Sequence, residues 1–230
     1  MMHTTQKQPV LRFAHPSGVL STSQWRQGLK ASKHLAGIDL DMFAVNQSDT
    51  AFSFTARTPQ AGQAIDERVM DFMRATANVV NKTLDVQKLD LTPDVANTKY
   101  RWFYKVPKWV VARPSKTGTK DAWSGWRQEA LSPEIQQEML SRLGTDLKSQ
   151  LELWTQGCPD LELAIEDYGR PMVLKDAIAN GPKSVSVMAR LDVTFSSSRR
   201  IEGAFYTGLF NVLGFGRIFR NGYQEQQGQE

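Results

Sequence analysis

The strongest constraint on this 230-residue chain is the order in which its hydrophobic period changes between Val10 and Leu91. Residues 10–14 read as a short strand, broken by the turn chemistry of His15-Pro16-Ser17-Gly18. Ser21 or Ser23 can cap a helix running to about residue 36, with Trp25 and Leu29 on one face and Gly37 as its stop. Residues 42–45 and 51–56 then form a hairpin around Asn46-Gln47-Ser48-Asp49. Ile65, Val69, Phe72, Met73 and Val80 fall at helical spacing, and a strand over 86–91 closes the series. The order is strand, helix, strand, strand, helix, strand.

The second half repeats this order without sequence identity to the first. Residues 101–111 are aromatic and β-branched, so strand or hairpin. Ser132-Pro133-Glu134 opens a long helix to about residue 154, serine as cap and proline at the first helical position. Residues 161–165 and 185–195 read as strands, the latter by strict alternation. Ser198 would cap a helix to about residue 213, with a last strand near 219–223. The expected fold is α+β: two ferredoxin-like (RRM-like, βαββαβ) units in tandem. The expected domains are 1–95 and 96–230, with a basic and helical insertion at about 107–155 in the second.

Charge is unevenly distributed. The net charge is only +4, too little to name a partner. Yet residues 99–127 hold eight basic residues against Asp121, 129–167 hold nine acids against Arg142 and Lys148, and 183–220 return to six basic against two acidic. Two basic segments flanking an acidic one suit a one-sided positive face and a polyanionic partner. Cys158 is the single cysteine, so no internal disulfide can form. No apolar run is long enough for a membrane span, and the polar N-terminus does not read as a secretory signal. The expectation is a cytoplasmic prokaryotic protein without a membrane partner.

The segment 214–223, Gly-Phe-Gly-Arg-Ile-Phe-Arg-Asn-Gly-Tyr, carries most of the functional inference. Gly214, Gly216 and Gly222 would let backbone N–H groups approach an anion, while Arg217 and Arg220 can donate to phosphate. Phe215, Phe219 and Tyr223 could stack on unpaired bases. The spacing is equally compatible with a tight connection whose glycines serve only chain reversal. The pattern resembles the C-terminal glycine-rich signature of the CRISPR repeat-processing endoribonucleases of the repeat-associated mysterious protein superfamily. It is most similar to the plasmid-associated type IV subgroup. The family pattern usually ends glycine-aromatic-glycine, and here the last position is Gln224.

That resemblance implies an endoribonuclease that binds a CRISPR repeat stem-loop and keeps the product. It implies metal-independent attack of a 2′-OH on the adjacent phosphorus, leaving a 2′,3′-cyclic phosphate and a 5′-OH, with no cofactor. Such chemistry needs a proton acceptor, a proton donor and positive charge for the phosphorane. His15, Arg26, His34 and Arg217 are the catalytic candidates. Each has a plainer reading: a turn histidine, an exposed helix residue, a helix C-terminal histidine and a loop cation. Arginine does not act as a base in ordinary conditions but can hold and neutralise a phosphate. Arg12, Arg101, Lys105, Lys108, Arg113, Lys116, Arg199, Arg200, Arg220 and the three loop glycines are the RNA-binding candidates.

Other chemistries find little support. No His, Cys, Asp and Glu set has metal-ligand spacing, and Gly118-Thr119-Lys120 lacks the rest of a P-loop. Two other functions remain open: a non-catalytic guide-RNA subunit working with other CRISPR effector subunits, and a ferredoxin-like small-molecule or protein-interaction module.

Overall fold

Ser21, Thr58 and Ser132 each accept a backbone N–H from three residues ahead, at 3.3, 3.2 and 3.5 Å, and so set where the three helices begin. Pro59 and Pro133 sit just inside two of those starts, where a missing N–H costs nothing. The structure is a computed structural model that describes residues 6–14, 20–48, 50–112, 126, 131–155, 160–174 and 188–225. The elements in chain order are β1 (Gln8–Ala14), α1 (Thr22–Lys30), β2 (Phe43–Gln47), β3 (Ala51–Ala56), α2 (Pro59–Val80), β4 (Val86–Leu91), β5 (Asp94–Ala112), α3 (Pro133–Trp154), β6 (Leu163–Tyr168), β7 (Met172–Val173), β8 (Met188–Glu202) and β9 (Phe219–Glu225).

Two antiparallel sheets result, ordered β2-β3-β1-β4 and β6-β8-β5-β9, with β7 pairing β8. In each, the first and third strands of the unit lie in the middle, as the ferredoxin-like order requires. The α+β expectation therefore holds. In the first sheet, alternate residues Leu11, Phe13, Phe52 and Phe54 turn toward the helices and are fully buried. Trp25 of α1 stacks on Phe52 with ring centroids 4.2 Å apart, and Phe72 of α2 meets Phe43 and Phe54 edge-on at 5.4 and 5.3 Å. In the second sheet, Met139, Leu143, Leu147 and Leu151 form the apolar stripe of α3, one residue per helical turn. They share a core with Tyr104, Val106, Trp109, Leu191, Val193 and Phe195.

Several boundaries differ from expectation. Helix α1 ends at Lys30 rather than near residue 36, because Ser32 starts a separate 3₁₀ turn by accepting the His34 N–H. The strand read at 101–111 begins at Asp94. Residues 107–112 belong to β5 and 133–154 to α3; between them only Trp126 and the two residues preceding α3 are described.

The larger correction concerns the helix expected over 198–213. Ser198, Arg199 and Arg200 instead continue β8, which pairs as far as Glu202 with Asp94–Asn97 of β5. The Tyr104 hydroxyl also accepts the Ile201 N–H at 2.6 Å, holding that backbone extended. Burial pushes the Tyr104 phenol up to about 12, so it stays protonated. Between Glu202 and β9 the chain is irregular apart from a short 3₁₀ turn at Asn211–Leu213.

Distant side chains fix this irregular segment. The buried Gln8 side chain donates to Ala56 O and Ala204 O, both at 3.0 Å, and accepts the Ala204 N–H at 2.9 Å. Gln8→Leu would leave three buried backbone groups without partners. It is expected to lower stability by about 3 kcal/mol in urea denaturation, against the ~1 kcal/mol typical of one hydrogen bond.

Candidate nucleic-acid interface

The strand period that buries Leu11 and Phe13 must turn Val10 and Arg12 to the opposite face of the first sheet. Ala44, Asn46, Ser53, Thr55 and Leu89 share that face. Part of it is covered by the irregular segment before β9. Tyr206 packs on Ala44, and its hydroxyl accepts from Asn46 Nδ2 at 2.8 Å. Gln150 of α3 accepts the Tyr206 N–H at 3.0 Å and donates back to its carbonyl. Asp146 takes the Thr207 hydroxyl and the Gly208 N–H, both at 2.7 Å.

Where this cover ends, a cleft of about 530 Å³ remains between the first sheet and the glycine-rich loop. Arg12, Lys108 and Arg217 line it, with Phe215 and Phe219, and its described lining residues include no Asp or Glu. The cross-strand neighbours of Arg12 are Ser53 and Gln87, neither charged. Lys108 sits in a bulge of β5 at φ +56°, a costly conformation for a side-chain-bearing residue. Its N–H donates to Asp192 Oδ1 at 2.8 Å, which holds the bulge. The Arg217 guanidinium lies 5.0 Å from the Phe219 ring centroid. Thr22 also lines the cleft, bringing the positive end of α1 to it. Among the described residues, none of the three cations is paired with a carboxylate.

The loop glycines have a packing reason. Gly216, at φ +68°, is so close to Thr207 that a Cβ would stand 1.9 Å from its carbonyl oxygen. Gly214, at φ +80°, would put a Cβ 2.6 Å from Val45 O. Both glycines let the loop lie against its neighbours, and Gly214 also lines the cleft. Gly222 has open space around it and lies where β9 shifts register against β5. The loop supplies the cleft with its side chains, Phe215 and Arg217, and with Phe219 at the start of β9.

The other candidate residues separate into groups. Arg26 is buried, donates to Leu40 O at 3.0 Å and pairs with Asp41, tying α1 to the turn before β2. Burial lowers its pKa from the ordinary value, opposed by Asp39. It does not line the cleft. Neither does His34, whose carbonyl accepts from Arg68 at 2.8 Å. His15, Arg113 and Lys116 lie outside the described residues. Arg101 donates to Ser196 Oγ at 2.8 Å and pairs with Glu166. Lys105 is exposed opposite Phe219. Arg199 donates to Asp160 O at 3.0 Å, so it is a strand residue and not the start of a helix. Arg200 and Arg220 share Glu202.

Sequence reasoning missed Asn46, Ser53 and Thr22 as lining residues. The alternation of β1 and β3 could have placed Ser53 beside Arg12, but nothing local placed the loop across that face.

Solved structures superpose on nearly the whole chain. One, described as "Csf5, CRISPR-Cas type IV Cas6 crRNA endonuclease", has a TM-score of 0.65 at 15% identity, covering 94% of this chain and 100% of that one. This chain has the Csf5 fold. A crystal structure of Cas6b gives a TM-score of 0.54 at 13% identity, with 94% and 99% covered. No family model matches the sequence, and no curated protein matches it. Among the described residues, no helix is long and apolar enough to cross a membrane.

Since Gly216→Ala adds the Thr207 clash to a positive φ, it is expected to cost roughly 3 kcal/mol or more in urea denaturation, above the ~1–2 kcal/mol of the backbone conformation alone.

Proposed function

We propose that this chain binds a CRISPR repeat stem-loop and cleaves it as an endoribonuclease, retaining the product. The observation that carries the reading is the cleft in which Arg12, Lys108 and Arg217 converge with two phenylalanines and no acid among the described lining residues. Three like charges facing one space repel one another, and a phosphate backbone relieves that repulsion. Phe215 and Phe219 offer apolar faces to bases, which a cleft for inorganic phosphate would not need. The Csf5 structure, whose description names a crRNA endonuclease, supports the same reading at the level of fold.

The proposed reaction is attack of a 2′-OH on the adjacent phosphorus. The new bond is O2′–P and the bond broken is P–O5′, giving a 2′,3′-cyclic phosphate and a 5′-OH without a metal. Arg12 and Arg217 hold the scissile phosphate and offset the charge that grows on its oxygens. They remain protonated, so the acceptor of the 2′-OH proton is a different group. The proposal assigns that role to His15, which directly follows β1 in the sequence, and the departing 5′-oxygen takes its proton from water. Arg26 acts from outside the cleft by holding α1.

The described residues of the cleft include no histidine. A second reading is a guide-RNA-binding subunit that grips without cutting and works with other effector subunits.

One experiment separates the two readings. Candidate repeat hairpins are incubated with the protein in EDTA, and the product ends are analysed. A cyclic phosphate end, with at least tenfold slower cleavage by Arg12→Ala and His15→Ala, is expected. Tight binding with no cut across all hairpins would remove the enzyme. A salt series gives an independent check. Arg217→Ala and Lys108→Ala are each expected to reduce the slope of log K against log salt by about one phosphate contact. An unchanged slope in both variants would place the RNA elsewhere.

A further inference from the structure

Among the described residues, nothing covers the helix-bearing face of the second sheet at one end. In the first sheet, α2 connects β3 to β4 and crosses β1. The matching connection in the second sheet, from β8 to β9, has no such helix. Residues 203–218 are held by β1, β2 and α3 instead of lying along the start of β5.

At that open end the rings of Tyr100 and Trp102 on β5 meet Tyr223 on β9. The centroids of Tyr100 and Tyr223 are 5.0 Å apart, and those of Trp102 and Tyr223 are 5.1 Å apart. Trp102 is fixed from below by donating its indole N–H to Thr98 Oγ1 at 2.7 Å. Tyr223 is 63% exposed although its neighbours are aromatic, the largest exposure of any large hydrophobic residue described. Cations border the rings. The Arg200 and Arg220 guanidiniums lie 5.9 and 5.7 Å from the Trp102 centroid, and Lys99 Nζ lies 5.2 Å from that of Tyr100. Arg200 and Arg220 share the single carboxylate of Glu202, at 3.4 and 3.6 Å, while Lys99 pairs with Glu225. Three cations thus face two acids, and both arginines keep donors to spare.

We propose that Tyr100, Trp102 and Tyr223 form a stacking platform for an unpaired base of single-stranded RNA, with Arg220 and Lys99 at the flanking phosphates. The choice of RNA as partner rests on the reading of the cleft given above. The platform itself is a second contact, for nucleotides outside the stem. An exposed tyrosine ring braced by two others is pre-organised for stacking, and the bordering cations suit the backbone between bases. A dry protein partner would have to bury those cations against its own surface at a desolvation cost.

The test uses fluorescein-labelled hexa-adenylate RNA and fluorescence anisotropy with the full chain. Tyr223 is exposed, so its substitution does not disturb the core. Tyr223→Ala is expected to weaken hexa-adenylate binding about tenfold, within the range for loss of one stacked base. Tyr223→Phe should stay within about twofold of the parent, because the stacking face is kept. The same Tyr223→Ala loss should appear in an Arg217→Ala background, because the two sites are separate. Equal binding by parent and Tyr223→Ala, or no binding by either, overturns the platform, as does an equal loss in Tyr223→Phe. If hairpin cleavage and the Arg217 dependence fail while the Tyr223 dependence persists, the cleft reading falls and the platform stands.

Discussion

The buried side chain of Gln8 bonds to a residue almost two hundred positions away, and much of the molecule depends on that contact. With Asn46, Asp146 and Gln150 it captures the irregular chain that runs from Gly203 toward β9. These side chains come from β1, β2 and α3, so one stretch is pinned to the first sheet and to the helix of the second at once. The capture carries the glycine-rich loop across the open face of the first sheet. There Arg217 and Phe215 line one cleft with Arg12.

The same capture explains the asymmetry of the two units. A second helix in the second unit would have covered β5 and β9 as α2 covers β1. Its absence leaves the aromatic end of β5 open and releases the loop to reach the first sheet. Glycines 214 and 216 are needed because that approach is close. Their role is to let the backbone pass, while the charge comes from arginine and lysine side chains. Lys108 belongs to the same design, since a bulge held by Asp192 sets it at the cleft.

Most of the first unit was legible in the sequence because its signals are local. Alternation in residues 10–14 and 51–56 and the helical spacing of Ile65, Val69 and Phe72 act within one element each. The cap and proline at Ser132-Pro133 likewise mark a helix start without outside help. Ser198-Arg199-Arg200 misled because a serine before a polar run reads as a cap, whereas pairing with β5 and the Tyr104 hydroxyl keeps it extended. Arg12, Lys108 and Arg217 could be picked as cations, but their convergence was not visible, because it depends on Gln8 and Asn46. Arg26 shows the converse. Its helix position suggested a free cation, and only the fold reveals Leu40 O and Asp41 as its partners.

The claim on which the rest stands is that RNA lies in the cleft between β1 and the glycine-rich loop. Photo-crosslinking with 4-thiouridine-containing hairpin RNA, followed by peptide mapping, tests it most directly. The account predicts crosslinks on the peptides that carry Phe215 and Phe219. Crosslinks confined to the exposed side of α3, or to the β6 edge of the second sheet, would contradict it.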